Sequence, residues 1–328
     1  MLFLYSVISL VLIFDFINGF HDSANSIATV VSTKVLSPFA AVAMAAFFNF
    51  IAFTVFPLKV ATTIGKGVID PDIINLTVIA SALIAAILWN LLTWWLGLPS
   101  SSSHTLVGGL VGSAIASSGI GSVVIGGVIK IVAFIIIAPL LGMVISFIIS
   151  AVVINISKKY SPFTVDKHFR RLQLLSAAAF SLGHGGNDAQ KSMGIIWAAL
   201  IVSGLATKDD KIANWIVLSC QAAISLGTLF GGWRIVKTMG QRITKLKPFE
   251  GFCAETAGAL TLFGATHFGI PVSTTHTITG SIIGVGARKG ASAVKWGVTT
   301  KIFWAWILTI PVSAVVGALM YYLLNRII

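Results

Sequence analysis

Two polar octapeptides interrupt long apolar stretches of this chain: GFHDSANS at residues 19 to 26 and, 166 residues later, GGNDAQKS at residues 185 to 192. Asp22 and Asp188 hold equivalent places. Each is followed three residues on by another polar side chain, Asn25 in the first copy and Lys191 in the second, and on a helix that spacing puts both on one face. A carboxylate at bilayer depth costs about 2.5 to 3.5 kcal/mol on insertion scales. Two at matched places therefore predict a functional site rather than a chance polar turn.

A second pair of stretches follows the same order. LGLPSSSSHTLVGGLVG at residues 96 to 112 is echoed 172 residues later by FGIPVSTTHTITGSIIG at residues 268 to 284: proline, a run of hydroxyls, His-Thr, then a glycine-rich apolar tail. Two motifs recurring in one order at nearly one shift make the chain a tandem duplication, read as residues 1–154 and 172–328 joined by a linker at 155–171.

With 56% hydrophobic residues, 10% charged ones and many apolar runs of spanning length, the 328-residue chain reads as a polytopic membrane protein. Cys220 and Cys253 have no partner at metal or redox spacing and read as packing residues. The N-terminal run lacks a basic leader and reads as a retained helix. The net charge of +12 is better explained by basic cytoplasmic loops than by a nucleic-acid partner.

In order, residues 1–33 form a first segment, roughly 50 Å long if helical, too long for one straight span and too short for two. That predicts a break near Gly19 to Asp22. Residues 38–57 follow as a span, then a charge-balanced loop with Lys59, Lys66, Asp70 and Asp72. Residues 74–97 and 100–118 make a hairpin whose tip is the hydroxyl turn, and 121–154 close the half with a kink at Pro139. After the basic linker, residues 172–203 are expected as a second broken segment. Then come an outside loop with Lys208, Asp209, Asp210 and Lys211, a span at 212–232, and a basic loop carrying Arg234 to Lys247. A hairpin at 251–287, basic residues Arg288, Lys289 and Lys295, and a span at 297–324 complete the chain. Five membrane-directed segments per half is odd, so the repeats are inverted and both termini fall outside. Were the hairpins only re-entrant, the count would change without moving the motifs. The expected fold is all-α, with two inverted repeats, broken helices, helical hairpins and about 10–12 membrane helices.

Pro99 and Pro271 each precede a hydroxyl turn that opens a helix. Such a start leaves several backbone N–H groups free and carries a partial positive charge, so it attracts oxyanions. Ser101, Ser102, Ser103, Thr105, Ser273, Thr274 and Thr275 are the candidate anion donors, with Asn25, Gln190 and Lys191 beside them. Lys191 has two uses, neutralising Asp188, the favoured one, or reaching the anion as a point charge. The acids repel an anion directly. Asp22, Asn25, Asn187 and Asp188 read as oxygen ligands for a hard monovalent cation, sodium, completed by carbonyls of the broken helices, with a proton as the alternative. Glu255, isolated in an apolar run, joins the cation path. His104 and His276 titrate or hydrogen-bond their turns. Asp15 could pair with a neighbouring helix, and Lys130 reads as a snorkelling side chain. Gly108, Gly109, Gly112, Gly280 and Gly284 fit close helix packing. These residues describe an ion-coupled anion transporter. An intramembrane Ser-His-Asp hydrolase would need one catalytic set rather than two, and a passive channel suits duplicated discontinuous helices poorly.

The stretches GFHDSANSIAT (19–29), GLPSSSSHTLVGGLVG (97–112), SLGHGGNDAQKSMGI (181–195) and GIPVSTTHT (269–277) resemble the signatures of the inorganic phosphate transporter (PiT) family. The resemblance implies symport of inorganic phosphate with sodium or protons, phosphate over its rival sulfate, no cofactor beyond the co-transported ion, and an inverted-repeat fold. It also implies about twelve membrane helices and a homo-oligomer; the short linker and the lack of a targeting presequence point to the plasma membrane. The family's acidic motif often reads Gly-Ala-Asn-Asp-x-Ala-Asn-Ala. Here His21 stands in the first Asn position, and Lys191 replaces the last Asn of the second copy. Both departures flank the expected cation site and bear on the coupling ion more than on the substrate.

Overall fold

The computed structural model of the chain describes residues 1–69 and 74–327. The described residues form twelve α-helices and no strand, only an isolated bridge between Ile69 and Val123. In the first half these are α1 (Leu2–Ser32), α2 (Pro38–Ile51), α3 (Lys59–Gly67), α4 (Leu76–Leu96), α5 (Ser102–Ser118) and α6 (Ile125–Ser157). In the second they are α7 (Pro162–Val202), α8 (Asn214–Phe230), α9 (Trp233–Lys237), α10 (Pro248–His267), α11 (Thr274–Arg288) and α12 (Trp296–Leu324).

Local chemistry sets many of the boundaries. Ser37 and Ser161 cap α2 and α7 with a proline directly behind them, and Asn75 accepts from Val78 N to open α4. After α4 and α10 the chain turns through Gly97 and Gly269, whose φ values of 67° and 68° favour glycine. The hairpins therefore turn in the same way in both copies.

The two polar segments are not broken. α1 runs unbroken over 31 residues and α7 over 41, straight through Asp22 and Asp188. The glycines beside the acids serve close approach instead: a Cβ on Gly19 would lie 2.0 Å from Ile224 O, and one on Gly185 2.5 Å from Asn49 O. The breaks fall one element later. The expected span 38–57 ends as α2 and a 3₁₀ turn at Ala52–Thr54, and the chain restarts as α3. Asp70 and Asp72 of the expected loop lie outside the described residues. In the second half α8 gives way, through a 61° bend, to a helical stretch Trp233–Arg242. Arg234, Lys237 and Arg242 are thus helical and not loop residues. The expected linker shortens to Lys158–Ser161, with Lys167, Arg170 and Arg171 already on α7.

α1, α4, α6 and α12 are long and apolar enough to cross a membrane, and the bent α8–α9 unit meets the same test as a pair. The second arms of the hairpins, α5 with 17 residues and α11 with 15, rise only about 22–26 Å, short of a hydrocarbon core of about 30 Å. On α6 only six residues are buried, and Lys130 is exposed.

Exchanging the halves preserves the packing. α5 lies on α12 as α11 lies on α6, α1 packs on α8 as α7 packs on α2, and α4 meets α1 and α12 as α10 meets α7 and α6. The glycine tails allow this: a Cβ on Gly112 would sit 1.8 Å from Ala314 O, and one on Gly280 2.1 Å from Pro139 O. Pro139 and Pro311, themselves 172 residues apart, lie inside α6 and α12.

Two apolar clusters form the interior. On α1 one cluster reaches Phe14 and the other begins at Ala24; on α7 the second ends at Phe180 and the first resumes at Ala189. Residues 15–23 and 181–188 therefore make a polar layer between two dry cores. Gly112→Val and Gly280→Val should each cost about 1–3 kcal/mol through overpacking, read as a lower unfolding midpoint in detergent. Gly264→Ala, whose Cβ meets open space, should not lower it. Unmoved midpoints in both valine variants would rule out helix pairs this close.

Candidate functional site

The polar layer takes side chains from both halves. On α1, Asp22 accepts from Thr275 Oγ1 at 3.4 Å and pairs with His21 Nδ1 at 2.6 Å. On α7, Asp188 accepts from Thr274 Oγ1 at 3.0 Å and from Lys191 Nζ at 2.5 Å. Asn25 joins the two by donating to Thr274 and Thr275 at 3.2 and 2.9 Å. The ammonium of Lys191 also reaches Ser103 Oγ and Val272 O. A continuous chain of contacts thus runs from Asp22 through Thr275, Asn25, Thr274, Asp188 and Lys191 to Ser103. It brings both acids and both hydroxyl turns into one buried site.

Both turns are capped helix starts. Ser101 accepts from His104 N at 3.3 Å and Ser273 from His276 N at 3.2 Å. The first residues of each helix, Ser102 and Ser103 or Thr274 and Thr275, have N–H groups outside the helical ladder. Behind the turns, the rings of His104 and His276 meet edge to face at 4.7 Å, and His276 stacks on Trp306 at 3.8 Å. Trp306 Nε1 in turn donates to Pro99 O at 3.0 Å. The Ile135 carbonyl, which Pro139 leaves without its helical donor, faces His276.

The copies differ in how each carboxylate is neutralised. Lys191 makes three contacts, the full donor capacity of an ammonium, and neutralises Asp188 from within the chain. Asp22 has no lysine or arginine within salt-bridge distance among the described residues, only His21. His21 is held in turn by Thr93 Oγ1 at 3.1 Å, itself accepting from Ser100 at 2.8 Å. His184 completes the site: one ligand atom each from Asp22, His184 and Asp188 lie within 4.8 Å of one another. Its signal in the sequence is the four-residue spacing to Asp188, one helical turn; the role of Asn49, which holds His184 Nδ1 at 3.1 Å, left none.

The remaining candidates divide. Ser102 Oγ, Asn25 Oδ1 and Asn187 Oδ1 are buried without a hydrogen-bond partner, suited to an incoming polar ligand. Asn187 Nδ2 is anchored on Thr266 Oγ1 and Ile270 O. Gln190 bonds Val60 N, Ala61 N and Pro57 O at the start of α3, and Thr105 bonds Asn90 Oδ1 and Ser102 O. Gln190 thus ties α7 to the start of α3, and Thr105 is shared between Asn90 of α4 and the first turn of its own helix. Glu255 lies in a network of its own, accepting from Thr29 and Ser176 at 2.5 Å each and from Gln173 at 3.1 Å.

The chain is similar to known proteins over nearly its whole length. The model of the Phosphate transporter family matches residues 18–317. A probable low-affinity inorganic phosphate transporter of Rhizobium meliloti (strain 1021) is 55% identical over 97% of this chain and 96% of its own. One from Bacillus subtilis (strain 168) is 46% identical over 96% and 95%. A solved structure described as the sodium-dependent phosphate transporter superposes with a TM-score of 0.90 at 27% identity, covering 100% of both chains.

Removing one partner of a buried ion pair costs about 3–5 kcal/mol. Lys191→Met should therefore lower the unfolding midpoint sharply, and Asp188→Asn with Lys191→Met should recover most of the loss. A double variant no more stable than Lys191→Met would show that the ammonium does not neutralise Asp188.

Proposed function

The chain belongs to the phosphate transporter family, and from that premise we propose that it moves inorganic phosphate across a membrane in symport with sodium, by alternating access. It is a carrier and not an enzyme. One observation carries the coupling: the hydroxyls suited to hold an oxyanion already donate to the carboxylates, Thr274 to Asp188 and Thr275 to Asp22.

The mechanism follows from that sharing. When phosphate reaches the two helix starts, Ser102, Ser103, Thr274 and Thr275 turn their O–H groups toward its oxygens. Asp22 then loses a donor and gains a like-charged neighbour, an arrangement costing several kcal/mol in a dry site. Asp188 keeps Lys191. The missing charge falls at Asp22, where a sodium ion finds the carboxylate and the free Asn25 Oδ1. Phosphate and cation then favour each other's binding, which is the requirement for symport.

A second reading has its own support. His21 Nδ1 lies 2.6 Å from Asp22 Oδ1, so a proton shared by this pair would also neutralise the acid. Counted as membrane-directed segments, with α2–α3 and α8–α9 each one broken segment, each half has five, and that odd number supports inverted repeats; the basic residues around the α6–α7 turn support a cytoplasmic face there in a plasma membrane. The apolar outer faces of α6 and α12 would meet lipid or a second copy.

Uptake of radiolabelled phosphate into proteoliposomes tests the reading. A sodium gradient should drive uptake, Asp22→Asn should abolish it, and sulfate should compete poorly. Thr274→Ala with Thr275→Ala should raise the phosphate KM roughly tenfold or more, since hydrogen bonds to a charged group are worth about 1.5–3 kcal/mol each. Uptake that follows a proton gradient and ignores sodium would favour the His21 reading. No uptake under either gradient would end both.

A further inference from the structure

Seven residues before Asp22 stands a second carboxylate that the phosphate site does not use. Asp15 is fully buried where α1 packs on α7 and α8, and neither of its oxygens has a hydrogen-bond partner. Among the described residues no basic side chain pairs with it. Ser192 of α7 and Asn18 of α1 face it without closing a hydrogen bond, and Cys220 of α8 is close enough to feel its charge. The next residue, Gln221, is fully buried, and both polar atoms of its amide are unpartnered. Asn18 Oδ1 and Ser192 Oγ are unpartnered too. Gly19 and Gly227 fix the register by bringing α1 and α8 into backbone contact, with Ile224 O against one and Phe16 O against the other.

Buried polar groups are normally satisfied, and an uncompensated carboxylate is the costliest exception. Two oxygens of Asp15, one of Asn18, one of Gln221 and the Ser192 hydroxyl are oxygen ligands without a partner here, and the unpartnered donors, Gln221 Nε2 and the Ser192 O–H, do not reach the carboxylate. A proton on Asp15 would cancel its charge but leave the amide and hydroxyl oxygens beside it unpartnered. A small hard cation is the species that takes several oxygen ligands at once and cancels the charge. We propose that Asp15, Asn18, Ser192 and Gln221 form a sodium site separate from Asp22, about 10 Å away along α1. The site needs no phosphate. Its ligands come from one helix of the first half and two of the second, so an ion there would hold the halves together at the edge of the polar layer.

The test is binding of radioactive sodium to the purified full-length protein in lipid nanodiscs, in choline buffer without phosphate. Asp15→Asn should remove one equivalent of bound sodium that Asp22→Asn retains. Gln221→Leu, which keeps the carboxylate, should weaken that equivalent by at least the roughly tenfold that losing even an outer-shell partner costs. Should Asp15→Asn fail to fold, Gln221→Leu supplies the reading alone. Sodium binding equal to wild type in every folded variant overturns the site, as does a wild type that binds no sodium. Sodium lost in Asp15→Asn but kept in Asp22→Asn, with no sodium-driven phosphate uptake by wild type, would sink the proposed symport and leave this site standing.

Discussion

Two carboxylates held dry between two apolar cores set the terms for the rest of the molecule. Each must be neutralised without bulk water, and the chain supplies donors from every direction: a lysine one turn along α7, threonines from the start of α11, and histidines beside both acids. Hydrogen bonds to a charged group are worth about 1.5–3 kcal/mol each, enough to offset insertion costs of about 2.5–3.5 kcal/mol. The cost is specificity of arrangement. The threonines reach both acids from the start of α11, so α1, α7 and α11 cannot shift independently.

The arrangement explains why α1 and α7 are so long and unbroken. Each passes from one apolar cluster through the polar layer into the other, so a single rigid rod positions its acid relative to both. Discontinuity is moved to α2–α3, to α8–α9 and to the hairpin turns, where chain ends of short helices can point inward. The glycine tails of α5 and α11 let those short helices seat directly against α12 and α6. Packing so close leaves little freedom at the site except through movement of whole helix groups.

The two copies have diverged most where charge is handled. In the second half an ammonium is built in, three residues after its acid; in the first half Asn25 stands there, and the acid relies on His21 and a threonine. A symmetric scaffold thus presents one carboxylate that is already neutralised and one that can exchange its partner. Divergence of this kind is inexpensive in packing, because Lys191 and Asn25 occupy the same face of equivalent helices.

The sequence by itself determined the membrane class, the duplication and the pairing of acids with hydroxyl-rich helix starts, because composition, repeat order and capping chemistry are written in short runs of residues. It also placed the arms of the first hairpin, read at 74–97 and 100–118, within a few residues of α4 and α5. It misplaced the breaks. Glycine beside an acid reads as a break in one dimension, and only the packed structure shows Gly19 and Gly185 admitting the backbones of Ile224 and Asn49. Tertiary structure alone decided that Lys191 is spent on Asp188, that Gln190 and Thr105 serve neighbouring helices, and that Glu255 sits apart. The physical reason is common to all three: a buried polar side chain bonds whatever its neighbours offer, and those neighbours lie tens to hundreds of residues away along the chain.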